Sequence, residues 1–445
     1  MVNNFPVKIS RFFTSLAKRL ENPHIFLIVS NSGWLLFDKI IRIILAILVG
    51  AWVARFLGPT SYGQLSYALT FITLFQVIAS LGADNIIVRD LIVDRNHANT
   101  TLGTIFVLRI VVGFITWLFA LLVVLIINGP NDKVVILTAI AGTILIFQAA
   151  DTIDLWFQSQ NKNKKTVIAK LGAYVISNGI KIFLILNNAP LTAFALVLSI
   201  DSFFAAIGLF IVYRTFPVGA KWKFEFKRVK NLLHDSWTFM ISGLSLMLYM
   251  RIDQLLLKSM LGSKDLGIYS AALTFSSFLP IIPMTLFTVL SPFIIEKRKQ
   301  GPLVYWKALS VVFRLYAGLG IILCLLTLLS SSFLISMLYG PAYTSSIKIL
   351  CIHVLTNIFI FIGIAQNFWI INENKGNLNL IKTLVGLGVA LLGNLILIPV
   401  WGLYGAAITA VIVQAVSSFF INIILAPKIF KLQLLSLFQI PLKGY

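Results

Sequence analysis

The chain predicts an all-α polytopic membrane protein with about twelve transmembrane helices in two homologous six-helix halves. Three observations carry this. Mean hydropathy is +0.95, with 59% hydrophobic and only 11% charged residues, a balance no ordinary soluble domain shows. Apolar runs of about 20 residues, long enough to cross a roughly 30 Å hydrocarbon core as helix, recur along nearly the whole length. The stretch Leu57–Phe71 also returns as Leu261–Phe275, with Leu57/Leu261, Gly58/Gly262, Gly63/Gly267, Ser66/Ser270, Ala68/Ala272, Leu69/Leu273, Thr70/Thr274 and Phe71/Phe275 identical without a gap. Lipid offers no partner to backbone polar groups, so the runs are helices; barrel strands would alternate, and these do not. Two homologous halves packed face to face leave a cavity between them, as in many transporters.

The elements follow in order. Segment 1–30 is cytoplasmic: within Val7–Leu20, Ile9, Phe12, Phe13, Leu16 and Leu20 fall at helical spacing among Lys8, Arg11, Lys18 and Arg19. That makes a basic amphipathic helix suited to an anionic leaflet. Six spans in the N-terminal half, 31–213, cover about 31–57, 61–84, 101–127, 134–158, 165–186 and 190–213. A basic linker, 214–230, precedes the C-terminal half, 231–426, with spans at about 231–257, 265–293, 306–330, 344–371, 377–398 and 402–426. A cytoplasmic tail, 427–445, ends the chain. Turn chemistry punctuates the runs at Gly58-Pro59, Gly129-Pro130, Gly340-Pro341 and Pro399 before Gly402. A second echo, Trp156…Gln160-Asn161-Lys162 against Trp369…Glu373-Asn374-Lys375, follows spans 4 and 10.

Charge placement sets the sidedness. Twenty-five lysines and arginines fall in the N-terminal segment, every second loop and the tail, against Arg55, Lys133, Lys258 and Lys264 in the alternate loops. Both termini are therefore expected in the cytoplasm of an inner-membrane protein. Six spans per half is an even number, so the halves share one orientation about an axis along the membrane normal. The net charge of +21 is spread over short loops and forms no nucleic-acid face.

The junction Ala54-Arg55-Phe56-Leu57-Gly58-Pro59-x-x-Tyr62-Gly63, its echo Leu261-Gly262-x-x-x-Leu266-Gly267-Ile268-Tyr269-Ser270, and Leu338-Tyr339-Gly340-Pro341-x-Tyr343 resemble the Wzx-type polysaccharide flippases. The echo departs in carrying Ser263 for the proline and Leu266 for the tyrosine. The resemblance spans about residues 30–430 and places the chain with MATE drug exporters and the lipid II flippase in one exporter superfamily. It implies a MATE-like fold and flipping of an undecaprenyl-diphosphate-linked oligosaccharide by alternating access, for polysaccharide biosynthesis. It implies as partners that lipid-linked substrate, the bilayer and other polysaccharide-assembly membrane proteins.

Charges inside spans supply candidate site residues, because each costs about 2.5–3.5 kcal/mol at mid-membrane on insertion scales. Cations facing a cavity suit a lipid diphosphate, which arginine can bind bidentately. The candidates are Arg42, Lys39, Arg109, Arg251 and Arg314; Lys181 and Lys348 lie in outer halves of their spans. Arg42 has a competing i, i+4 partner in Asp38. Arg109 and Arg314 occupy matching places on spans 3 and 9. For ion coupling the candidates are Asp38 and Asp201, the latter near the centre of span 6 with Lys181 as neighbour on span 5. Asp151 and Asp154 read as interfacial, and the tryptophans as an interface belt.

No Walker sequence, metal-ligand spacing or cofactor motif is present. Cys324 and Cys351 read as buried thiols, and Asn99-Thr100-Thr101 as a chance sequon on the cytoplasmic side. The reading is a transporter and not an enzyme. The rivals are a MATE-like cation-coupled exporter of small molecules, a membrane-embedded glycan polymerase or ligase, disfavoured by short outer loops, and an inactive scaffold.

Overall fold

The computed structural model describes residues 23–215 and 221–440, with side chains from Gly33 onward except Leu35 and Leu36. The amphipathic segment Val7–Leu20 lies outside the described residues. All regular elements described are helical, and eleven stretches are long and apolar enough to cross a membrane. The first of these holds two spans, which brings the bundle to the twelve expected.

That first helix, α1 (Pro23–Ala79), bends at Gly58, whose φ of 73° and ψ of 167° lie outside the helical region. Pro59 removes an amide donor next to it, and glycine alone takes positive φ without a steric penalty. A tight turn at Leu81-Gly82 leads into α2 (Asp84–Val93). Then come α3 (Ala98–Asn128), α4 (Lys133–Ser159), α5 (Asn163–Leu186) and α6 (Leu191–Arg214). The second half comprises α7 (Phe226–Leu261), α8 (Ser263–Lys299), α9 (Pro302–Leu338), α10 (Ser345–Asn372), α11 (Asn377–Trp401) and α12 (Leu403–Leu425). α13 (Pro427–Leu437) forms much of the expected tail; its Ile429, Leu432 and Gln433 are buried against the bundle.

The two copies of the repeated motif meet each other. A Cβ built on Gly63 would lie 1.8 Å from the Ser263 carbonyl oxygen, and one on Gly267 would lie 1.9 Å from the Pro59 oxygen. Nothing larger than glycine permits that backbone approach, the small-residue logic of helix packing in lipid. The main apolar core grows around the contact, with Ala51, Ala54, Tyr67, Ala68 and Phe71 of α1 against Leu266, Tyr269, Ala272 and Phe275 of α8. Packing repeats in each half: α1 lies on α5, and α7 on α11. Side chains pointing away, such as Ile126, Leu329 and Ile424, are exposed apolar groups that face lipid.

Some spans are not straight. α4 is interrupted between Ala141 and Asp151, which frees carbonyls inside the membrane. The Trp117 indole donates to the Ala139 oxygen at 3.0 Å and Ser199 Oγ to the Ile140 oxygen at 2.7 Å, satisfying them. α10 breaks at the matching place, between His353 and Thr356. Trp117 thus serves a mid-span kink, which the interface-belt reading of the tryptophans does not cover.

Candidate functional site

α1, α5 and α6 bring six polar side chains together. On α1, Asp38 and Arg42 are one turn apart, and Arg42 Nε donates to Asp38 Oδ1 at 2.8 Å. On α5, Tyr174, Ser177 and Lys181 share one face at i, i+3 and i+7. The Arg42 guanidinium carbon lies 4.7 Å from the Tyr174 ring centre, and the Lys181 ammonium 5.8 Å from the same centre. Tyr174 Oη donates to the Arg42 carbonyl at 3.4 Å. From α6, Asp201 Oδ1 accepts from Ser177 Oγ at 3.1 Å, with Lys181 and Arg42 near enough to bear on its charge. Arg42 is 31% exposed and Asp38 18%. Pairing offsets part of the cost that a lone charge would carry within a membrane-spanning helix. With Nε on Asp38, the terminal nitrogens of Arg42 have no hydrogen-bond partner among the described residues, and such a fork can bind a planar or tetrahedral anion.

The other candidates lie elsewhere. Lys39 is exposed, beside Asp38 on α1. Arg109 is only 2% exposed: it donates to the Asp84 carboxylate and, at 3.2 Å, to the Ser80 carbonyl, fastening α3 to the end of α1. Arg314 is half-buried and turns its Nε to the Ser310 carbonyl of its own helix at 3.4 Å, so matching sequence places have unlike surroundings. In the second half, Arg251 stands close to Asp253 and Tyr269, where Tyr269 Oη donates to Asp253 Oδ2 at 2.6 Å.

The halves are bonded to each other at both ends. At the end bearing the repeated glycines, Lys258 Nζ reaches Asp132 Oδ2 at 2.7 Å, and Tyr343 Oη donates to the Ala54 carbonyl at 2.7 Å. Deeper in, Thr70 Oγ1 donates to Gln254 Oε1 at 2.6 Å. Burial works against charge on Asp132, yet the bonds from Lys258 and the Val134 amide hold its carboxyl below the ordinary carboxylate range. At the opposite end a strap, Lys221–Glu225, lies on the first half. Trp222 Nε1 donates to Tyr213 Oη at 2.7 Å and the Glu225 amide to Thr104 Oγ1 at 3.0 Å. Arg228 then donates to Asp94 at 3.0 Å and Thr101 at 2.7 Å. Bonds from His97 and Arg228 keep the Asp94 carboxyl below its usual range.

The model of the family described as polysaccharide biosynthesis protein matches residues 28–298. The chain belongs to that family. The capsular polysaccharide biosynthesis protein CapF of Staphylococcus aureus is 24% identical over 394 residues, covering 87% of this chain and 97% of CapF. The uncharacterized membrane protein MJ1068 of Methanocaldococcus jannaschii is 24% identical over 416 residues, covering 86% and 81%. Among solved structures, the lipid II flippase MurJ in an inward closed conformation superposes with a TM-score of 0.72 at 14% identity, covering 92% of this chain and 91% of MurJ. An inward-facing MATE family multidrug resistance transporter gives 0.67 at 13% identity, covering 88% and 95%. The fold is thus a multi-pass helical bundle of the MATE type, as the junction motifs imply.

Three features of this family member escape sequence reading. Tyr174 looks like any mid-span aromatic. Lys170, counted with the loop charges between spans 4 and 5 although it falls at the start of expected span 5, sits inside α5 and pairs with Asp151 at 2.7 Å and Asp154 at 3.0 Å. Lys382, counted with the loop charges between spans 10 and 11 although it falls at the start of expected span 11, sits inside α11 at 8% exposure and donates to Gln366 Oε1. Gln366, Asn422 and Gln433 close an amide network around it. Among the described residues no group of three or more His, Cys, Asp and Glu could hold a metal ion.

Proposed function

We propose that this chain flips an undecaprenyl-diphosphate-linked oligosaccharide from the cytoplasmic to the outer leaflet of the inner membrane, supplying polysaccharide assembly. The observation that carries the reading is the Arg42 guanidinium, held at Nε by Asp38, laid on Tyr174, and without a partner for its terminal nitrogens among the described residues. Membership of the polysaccharide biosynthesis family supports the substrate class.

In this mechanism Arg42 binds the diphosphate, Lys39 adds charge at the entrance, and Arg251 takes part from the second half. Arg109, committed to Asp84, and Arg314, on its own helix, hold the cytoplasmic ends that substrate passes. The glycan occupies water between the halves while the lipid tail stays in the bilayer. Asp38 and Asp201 are the coupling groups: a proton or sodium ion taken up at either frees cations to hold phosphate. Both termini lie in the cytoplasm, in keeping with the lysine and arginine bias of the loops. The halves rock about their shared axis, breaking the Lys258–Asp132 end while the bonds at the opposite end hold.

The test is flipping of a fluorescent prenyl-diphosphate oligosaccharide in proteoliposomes. Arg42→Ala is expected to lower the rate by at least tenfold, since a bond between charged groups is worth about 1.5–3 kcal/mol. Unchanged flipping by correctly inserted Arg42→Ala would overturn the assignment.

A further inference from the structure

We infer that Lys181 is the second cation of a diphosphate clamp, that Tyr174 positions it against Arg42, and that this pair selects diphosphate over monophosphate lipids. The inference rests on the flippase reading above and specifies its binding site.

Arg42 and Lys181 come from different helices, yet both lie against one aromatic ring, at 4.7 and 5.8 Å from its centre. Both cations also act on the Asp201 carboxylate, and a ring whose face is electron-rich attracts each of them. Tyr174 is itself fixed at its other end by the bond from its hydroxyl to the Arg42 carbonyl. The ring therefore links the α1 and α5 contributions. Arg42 presents a planar fork and Lys181 a compact point charge. A single phosphate satisfies the fork alone; two phosphates joined by one bridging oxygen can occupy both cations together.

The charge balance of the cluster points the same way. Arg42 and Lys181 face Asp38 and Asp201, two cations against two carboxylates, with Ser177 bonded to Asp201. Asp38 binds Arg42 at Nε, and among the described residues nothing bonds its terminal nitrogens. Asp201 takes its hydrogen bond from Ser177, and its pull on Lys181 is through space. Both cations are thus neutralised without being saturated, the arrangement expected where an anion must be bound and then released. Neutralising Asp201 removes the competitor for Lys181 and strengthens the hold on the second phosphate.

The experiment measures binding of farnesyl diphosphate and farnesyl monophosphate to the full-length protein in nanodiscs. Wild type is expected to prefer the diphosphate by about tenfold or more, the worth of one hydrogen bond to a charged group. Lys181→Met is expected to abolish the preference while keeping monophosphate binding at Arg42. Lys181→Arg is expected to retain it, and Tyr174→Leu to reduce it with both cations present. Asp201→Asn is expected to raise diphosphate affinity alone. A Lys181→Met protein that keeps the wild-type ratio overturns the clamp, as does a wild type that binds both lipids equally. A wild type that binds neither lipid defeats the flippase reading itself, a distinct result.

Discussion

Replacing Gly267 with alanine places a methyl group 1.9 Å from the Pro59 carbonyl oxygen, where ordinary contact begins near 3.4 Å. The clash is with backbone, so no rotamer change relieves it, and α1 and α8 must part by roughly 1.5 Å. Overpacking of this kind costs about 1–3 kcal/mol, equivalent to about a 5- to 150-fold shift in a two-state equilibrium. The cost falls only on the closed arrangement of that end, so the population moves toward the state open there. Gly63→Ala meets the Ser263 oxygen at 1.8 Å and is expected to behave alike. Ser270→Cys gives a nearly isosteric reporter, buried at the seal beside Gly267, in a background lacking Cys324 and Cys351. Labelling by a membrane-impermeant maleimide is expected to accelerate at least fivefold in Gly267→Ala. Gly172→Ala is the control: it faces open space within α5, and alanine there is expected to stabilise the helix by about 0.5–1 kcal/mol. Equal labelling in Gly267→Ala and the parent would refute the claim that the duplicated junctions seal this end by touching.

The buried Arg109 predicts an asymmetry between its two partners: Asp84→Ala strands a guanidinium 2% exposed and is expected to cost about 3–5 kcal/mol, whereas Arg109→Met, which leaves Asp84 in water, costs less. Apparent melting temperatures in detergent rank the two, and the reverse order would contradict the reading. The Lys258–Asp132 bond predicts a pH response of definite sign. The Asp132 carboxyl is held below its ordinary value of 3.8, so the bond's contribution is fully present above that pH and is lost only as pH falls through the lower, folded value. Ser270→Cys labelling, divided at each pH by that of a fully exposed cysteine to remove the falling thiolate fraction, is therefore expected to stay flat from pH 7 to about 4, whereas Asp132→Asn opens that end at neutral pH; a parent whose normalised labelling rises between pH 7 and 5 would rule this out.

Apolar length alone made the twelve spans readable, because lipid forbids any other backbone solution for such runs. The repeated glycines were equally readable, and the structure gives the reason: Gly63 and Gly267 face each other, so each copy is constrained by the other. The site was only half legible. Asp38 and Arg42 announce themselves by i, i+4 spacing, and Asp201 by its cost at mid-span. Tyr174 carries no charge and no local pattern, so only the approach of α5 to α1 reveals it. Lys170 and Lys382 lie within the first two turns of their expected spans, where sequence alone does not separate a loop charge from a buried one. Their partners, Asp151 and Asp154 in one half and Gln366 in the other, lie on neighbouring helices that local sequence cannot bring near. Kinks in α4 and α10 were hidden for the same reason: the groups that satisfy the freed carbonyls of α4, Trp117 and Ser199, come from other helices.

The most direct test of the flippase account is mass spectrometry of lipid-linked intermediates in the native host with and without this gene. The account predicts that complete undecaprenyl-diphosphate repeat units build up on the cytoplasmic face when the gene is absent, and that Arg42→Ala fails to clear them. An unchanged lipid pool with altered sensitivity to small cationic drugs would contradict it in favour of an exporter. Single units gathering on the outer face would contradict it in favour of a polymerase.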